Sequence, residues 1–386
     1  MNIKHNVIDK RKITEYLEFK TDIFYRPYQH KYIRALIVHD EGMLVSPAGS
    51  GKTVLGISLI CITGQPTLWL THTKQLLYQF IERIKTFIPN VSEVGIIGDG
   101  KWDMKLPITV GLVQTLARRQ EETKKLYDKF GMVIVDEAHH VPSTTFSTIV
   151  SMLNPRYLYG LTATPYRGDK MEVLLFKYIG PIRAAIPYKE VINDKGIMKP
   201  KVLCRIIELT KVEGNDTQKI LKDLVINKKR NALITKDVVK EAKNNNYCIV
   251  ISDRKAHCEI LYENIKKKWN KTVIVTGDYN DKHNNKQLEL LNNKKITVII
   301  TTFKKLGEGF DVNFLNRAFS TLSFRSRTKV EQMIGRIQRV VDGKTDAILY
   351  DYVDKNIGVL YNQFNSKIQD SREKTYKKLG LEVEYC

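Results

Sequence analysis

The chain has 386 residues, 42% of them hydrophobic, enough for two globular domains with cores of their own and too apolar for a disordered polymer. Lysine and arginine number 63 against 42 aspartates and glutamates, a formal charge of +21. That balance favours a polyanion such as nucleic acid, although charge alone fits an ordinary soluble basic protein equally well. The N-terminus lacks the apolar core of a signal peptide, and the longest apolar run, Val54 to Ile62, is too short to span a bilayer. The five cysteines form no Cys-x-x-Cys pair. We therefore expect an intracellular, cytoplasmic protein with no membrane association, disulfide, zinc ribbon or iron–sulfur cluster.

In chain order, the first clear strand is 43–46 (MLVS), and it runs into SPAGSGKT. A phosphate-binding loop has glycine, four residues, then Gly-Lys-Ser/Thr; here Ser46 takes the first glycine position. The sharp turns still have Gly49 and Gly51, and an apolar helix is expected to begin near Lys52. A plain Gly-rich turn is the alternative, but strand, loop and helix in this order are the setting of a P-loop. In that reading Pro47, Ala48, Gly49, Ser50 and Gly51 wrap the phosphates, with backbone amides and the helix N-terminus as donors. Lys52 reaches the β- and γ-phosphates, and Thr53 ligates Mg2+.

A second strand is expected at 67–71 (TLWLT) and a helix at 73–88, where Leu76, Leu77, Phe80, Ile81, Ile84, Phe87 and Ile88 recur at helical spacing. Pro89-Asn90 closes that helix. Strands follow at 108–113, 132–136 and 157–163. The strand at 132–136 delivers two carboxylates, Asp136 and Glu137, at its end. Alone they could be an acidic helix cap. Paired with a P-loop, Asp136 holds Mg2+ and Glu137 orients and deprotonates the attacking water. The alternation then repeats, with strands expected at 202–209, 247–252, 271–277, 296–302, 316–323 and 346–353 and helices between them.

These stretches resemble the motifs of the superfamily 2 helicases of the DEAD/DEAH type, in the family's order and through nearly the whole chain. RPYQ, with Arg26 and Gln29, is similar to the adenine-reading glutamine motif; SPAGSGKT to motif I; DEAH, ending at His139, to motif II. LTATP, with Thr162 and Thr164, resembles motif III; TTFKKLGEGFDV, with Gly309 and Asp311, motif V; QMIGRIQR, with Gln332, Arg336 and Arg339, motif VI. The resemblance implies ATP and Mg2+ as cofactors, and coupling of nucleotide state to domain closure through His139, Thr162, Thr164 and Gln332. It makes Arg336 and Arg339 arginine fingers aimed across an inter-domain cleft at the γ-phosphate; three apart, they share one face if both are helical. A surface pair binding carboxylates is the alternative. Nucleic-acid contacts are implied at Thr71, His72, Thr73 and Lys74, at Gln114 and Thr115, at Ser252 and Arg254, and at Thr301 and Thr302. Singly, each is as readily an ordinary polar residue at a strand end.

Within the superfamily, GLTATPYRGDKME (160–172) and NKKRNALI (227–234) resemble the phage UvsW and excision-repair XPB type, and type I and type III restriction motors share some of this character. The expected fold is α/β, two tandem RecA-like domains, each a mostly parallel sheet with helices on both faces. A short extension, 1–25, precedes domain 1 at 26–195 and domain 2 at 196–386. The expected function is an ATP-dependent DNA helicase or duplex translocase on branched or duplex DNA, working as a monomer. The alternatives are an RNA helicase, or a motor subunit that needs a nuclease or defence partner.

Overall fold

The computed structural model describes residues 9–140, 143–163, 172–208, 216–307 and 312–386. The chain divides into two compact units, Met1–Glu190 and Val191–Cys386. In the first, the strands are β1 (Glu41–Val45), β2 (Thr67–Thr71), β3 (Gly95–Gly98), β4 (Lys101–Asp103), β5 (Ile108–Leu112), β6 (Met132–Asp136), β7 (Tyr157–Thr162) and β8 (Ile182–Ala185). They form one sheet in the order β4-β3-β5-β2-β6-β7-β1-β8. Every pairing is parallel except the β3–β4 hairpin at the edge.

The central strands read as unbroken apolar runs because helices cover both faces. On β2, Leu68 and Leu70 enter one core cluster with Val133, Val135, Leu175 and Ile179. Trp69 points the other way and stacks on Phe80 of the helix Lys74–Phe87, ring centroids 3.8 Å apart. Gly56 of the helix Lys52–Thr63 lies against the same indole: a Cβ there would sit 2.6 Å from Trp69 Cη2. Residues 9–20 run along the N-terminal ends of the strands. Arg11 pairs with Asp9 and Asp40, the Thr14 amide bonds Gln65 at 2.8 Å, and the Lys20 amide bonds Asn90 at 3.0 Å.

The second unit has β9 (Lys201–Ile207), β10 (Cys248–Ser252), β11 (Thr272–Val275), β12 (Val298–Thr302), β13 (Arg317–Ser320), β14 (Ile348–Asp354) and β15 (Glu382–Tyr385). Their order is β11-β12-β10-β13-β14-β9-β15, all parallel. Tyr350 and Tyr352 of β14 enter the core on one face, with Ile234 and Val238 of the helix Lys228–Lys243 and Leu261 of the helix Lys255–Lys266. Asp351, between them, turns to the other face and takes Arg372 of the helix Arg372–Lys378 at 2.8 Å. No helix among the described residues is long and apolar enough to cross a membrane.

Candidate nucleotide site and nucleic-acid interface

The strand order β6-β7-β1, with Val45 opposite Thr162 and Asp136 opposite Leu161, brings three loops to one edge of the first sheet. These are the SPAGSGKT loop after β1, the DEAH turn after β6 and the end of β7. In the first loop Gly49 (φ 82°) and Gly51 (φ 89°) occupy the left-handed region that glycine enters without strain. Gly51 also has no room for a side chain, since a Cβ would lie 2.7 Å from Gln29 Nε2. Ser46 is fully buried. The Ser50 hydroxyl donates to the Pro47 carbonyl at 2.7 Å, so Ser46 is the donor in the Ser46–Ser50 hydroxyl bond that closes the loop. The helix Lys52–Thr63 starts where the loop ends, leaving its first-turn amides for an anion.

Lys52 Nζ lies 3.1 Å from Glu137 Oε1. Glu137 has φ 46°, and its amide donates to Asp136 Oδ1 at 2.9 Å. That tight turn separates the two carboxylates: Asp136 is buried beneath the loop while Glu137 remains a quarter exposed. Burial and the adjacent Glu137 carboxylate push the Asp136 carboxyl up to about 7, with Lys52 opposing. A divalent cation would relieve that buried charge. Among the described residues no cluster of three His, Cys, Asp or Glu can hold a metal by itself. One carboxylate and one hydroxyl, Asp136 and Thr53, suit Mg2+, which keeps waters and shares phosphate oxygens rather than filling an all-protein cage. His139 Nδ1 meets Thr162 Oγ1 at 2.8 Å and Glu137 Oε2 at 3.4 Å, joining the DEAH turn to the end of β7.

Gln29 lies in the helix Pro27–Ile37 and is 3% exposed. Its Oε1 accepts from the Arg26 amide at 2.9 Å and its Nε2 donates to the Ser50 carbonyl at 3.1 Å. One N–H and one lone pair of the amide remain for a base. Tyr28, which the sequence reading passed over, donates its hydroxyl to the same Ser50 carbonyl at 2.6 Å. Its signal was its place beside Gln29.

The implied nucleic-acid residues of the first unit do come together. Thr73 caps the helix Lys74–Phe87 by accepting from the Leu76 amide, and Gln114 Nε2 donates to the His72 carbonyl at 3.2 Å. Thr115 follows at the start of the helix Val113–Arg118. Lys74 is 61% exposed and held by Asp99 at 2.5 Å. Thr71 differs from the expectation: it is fully buried, and its hydroxyl is spent on the Thr73 backbone. Thr301 and Ser252 of the second unit are also buried, at 0% and 1% exposed. Ser252 bonds His257, and its oxygen accepts from the Arg254 amide. Thr302 stands at the end of β12, 7% exposed, where its hydroxyl accepts from the Lys305 amide at 3.4 Å. Arg254 is partly exposed and bonds Gln218.

The arginine pair needs correction. The helix is Arg327–Ile337 and contains Gln332 and Arg336, but Arg339 lies beyond its end, so the two arginines do not share a helical face. The Lys344 ammonium takes the carbonyls of Ile337 and Arg339, and the Met198 amide takes that of Gln338, so these acceptors are satisfied where the chain leaves the helix. Arg336 Nη2 donates to the Leu306 carbonyl at 2.6 Å, and Arg339 bonds Asn313. Thr164, Gly309 and Asp311 lie outside the described residues.

A P-loop and a DEAH turn converging on one edge of a parallel sheet, followed by a second parallel α/β unit, define a P-loop motor protein. Residues 22–167 match the family described as the Type III restriction enzyme, res subunit, and residues 213–341 the helicase conserved C-terminal domain. Together they cover more than half of the chain, which belongs to the superfamily 2 helicases. A putative ATP-dependent RNA helicase, L396, of Acanthamoeba polyphaga mimivirus is 27% identical over 89% of this chain and 66% of its own length. The DNA 3'-5' translocase XPB2 of Sulfurisphaera tokodaii is 33% identical over 58% of this chain and 50% of its own. The ATP-dependent DNA helicase uvsW of Enterobacteria phage T4 is 25% identical over 71% and 55%. The chain thus spans between half and two thirds of these relatives' lengths. Dbp5 of S. cerevisiae, solved with RNA and ADP BeF3, superposes with a TM-score of 0.65 at 15% identity, over 94% of this chain and 89% of that one. The fold is two RecA-like domains in tandem.

Proposed function

We propose that this protein is a DNA helicase or duplex translocase driven by Mg-ATP hydrolysis, acting on branched or duplex DNA. The observation that carries the reading is the meeting of Lys52, Asp136, Glu137 and the His139–Thr162 bond at one strand edge. Lys52 and the loop amides bind the phosphates, Thr53 and Asp136 hold Mg2+, and Glu137 activates the attacking water. His139 and Thr162 report the state of the nucleotide to the rest of the first unit. Arg336 and Arg339 contribute to turnover by offsetting transition-state charge.

The charge of +21, the exposed Lys74 and Gln114 and the partly exposed Arg254 support a polyanionic track read through its phosphates. DNA is favoured by the relatives named as a DNA translocase and a DNA helicase. The viral relative named as an RNA helicase supports RNA as the second reading. Steady-state ATP hydrolysis with matched single-stranded, duplex, forked and four-way DNA, and with RNA of the same sequence, separates them. Forked or four-way DNA should stimulate most. Strongest stimulation by RNA moves the assignment to an RNA helicase, and no stimulation by any polymer overturns the reading for the chain acting alone.

A further inference from the structure

The stretch NKKRNALI, residues 227–234, carries part of the sequence resemblance but takes no part in the site above. Asn227 caps the helix Lys228–Lys243, accepting from the Arg230 amide at 2.9 Å. That start turns Arg230 and Asn231 inward, where they are 1% and 2% exposed. Arg230 bonds Asp354 of β14 twice, at 3.0 and 3.2 Å, and donates a third bond to the Thr321 carbonyl at 2.6 Å. Asn231 Nδ2 donates to the Val225 carbonyl at 2.8 Å, which fixes the amide's orientation and aims Oδ1 at His257 Nε2, 3.0 Å away. The imidazole must therefore carry its proton on Nε2. Its bare Nδ1 accepts from the Ser252 hydroxyl at 3.1 Å, and the Ser252 oxygen accepts from the Arg254 amide at 3.2 Å. Burial and the charge of Arg230 push His257 down to about 3, so the ring stays neutral and the directions of these bonds hold at neutral pH.

We propose that Arg230, Asn231 and His257 form a buried positioning hub that sets two strand-end loops of the second unit, 252–254 and 321–326, in the arrangement that nucleic-acid-stimulated ATP turnover requires. The proposal rests on the ATP-driven reading above. The first loop carries Arg254; the second leads into the helix of Gln332 and Arg336. Lys329 of that helix is tied to the first loop through Asp253 at 2.6 Å. A second buried arginine, Arg372, braces the second loop from the far side by donating to the Phe324 carbonyl at 3.0 Å. A core needs none of this polarity for stability, because apolar residues of similar volume often replace a buried ion pair without loss. What they cannot do is direct bonds onto the Thr321 carbonyl and the Ser252 hydroxyl.

The test uses the full chain with His257→Leu, Asn231→Leu and the milder His257→Gln, reading three quantities. These are the melting temperature, ATP turnover with and without DNA, and hydrogen exchange at the Arg254 amide. We expect unstimulated turnover to be kept and the DNA-stimulated part to fall about tenfold or more, as a displaced group costs even when it lies far from the chemistry. Exchange at Arg254 should quicken ahead of the rest of the unit. The double variant His257→Leu/Asn231→Leu should lose little more than either single one, since both break one relay. Unchanged exchange at Arg254 in His257→Gln overturns the hub whatever the enzyme does. Quickened exchange with stimulation intact, or stimulation lost only in step with melting temperature, overturns its role in turnover. A wild-type chain that no polymer stimulates overturns the proposed function instead, and exchange at Arg254 then judges the hub separately.

Discussion

Lys52 and Glu137 hold each other at 3.1 Å, so the P-loop lysine is kept in place by the residue proposed to activate water. Removing either has a different consequence. Glu137→Gln keeps Asp136 and the loop but loses the base, so ATP binding should persist while turnover falls about a hundredfold or more. Lys52→Ala removes the cation that offsets the buried Asp136 charge as well as the phosphate ligand, so nucleotide binding itself should weaken. Fluorescent-nucleotide titration beside steady-state hydrolysis distinguishes the two, and normal turnover in Glu137→Gln would sink its role. Arg336→Ala should cut turnover by roughly a thousandfold, the low end for an arginine finger, with ATP still bound. Arg336 sits inside its helix and Arg339 outside it, so the two alanine variants should differ in severity. Equal wild-type rates in both would remove the arginines from the mechanism.

At the scale of elements, the helix Lys52–Thr63 does two jobs, offering its N-terminus to the nucleotide and lying close on the sheet through Gly56. Alanine is a better helix former than glycine by about 1 kcal/mol. Here, however, a Cβ would sit 2.6 Å from the Trp69 ring and 2.8 Å from Leu161 Cδ1, and the ring is already stacked on Phe80. Overpacking of this kind costs about 1–3 kcal/mol, so the clash should win and Gly56→Ala should destabilise the first unit. Urea unfolding of the full chain checks the sign; a stabilised variant would show that the indole yields. Most strands of both units were legible because their apolar runs are long and bounded by turns. The strands β3, β4, β8 and β15, at the sheet edges or next to one, were not: they are short, and GIIG, KWD, IRAA and EVEY carry little of the buried-run signal. The end of the helix at Ile337 was illegible for another reason: Lys344 takes the Ile337 carbonyl and Met198 that of Gln338, partners that only the folded chain brings there.

For the whole molecule, a charge of +21 predicts binding to nucleic acid that weakens steeply with salt and has little sequence preference. Each phosphate neutralised on duplex DNA contributes about 0.9 to the slope of log affinity against log salt. Titrations of several unrelated sequences across a range of salt concentrations would measure that slope. Salt-independent or strongly sequence-selective binding would contradict a track read through its phosphates.

By itself the sequence determined the alternation of strands and helices, the P-loop and the two carboxylates at the end of β6. These are local: a glycine at positive φ, an apolar run and a turn each act over a few residues. Only the tertiary structure decided which strand ends lie side by side, and so that Lys52 meets Glu137 and His139 meets Thr162. It also decided that Thr71, Ser252 and Thr301, polar residues suited to a phosphate, are buried in the protein's own packing. A hydroxyl at a strand end has the same letter whether it faces solvent or a neighbouring backbone. The side it faces is set by which element packs above it, and residues such as Asn231 and His257 reach Ser252 from stretches the chain brings together only on folding.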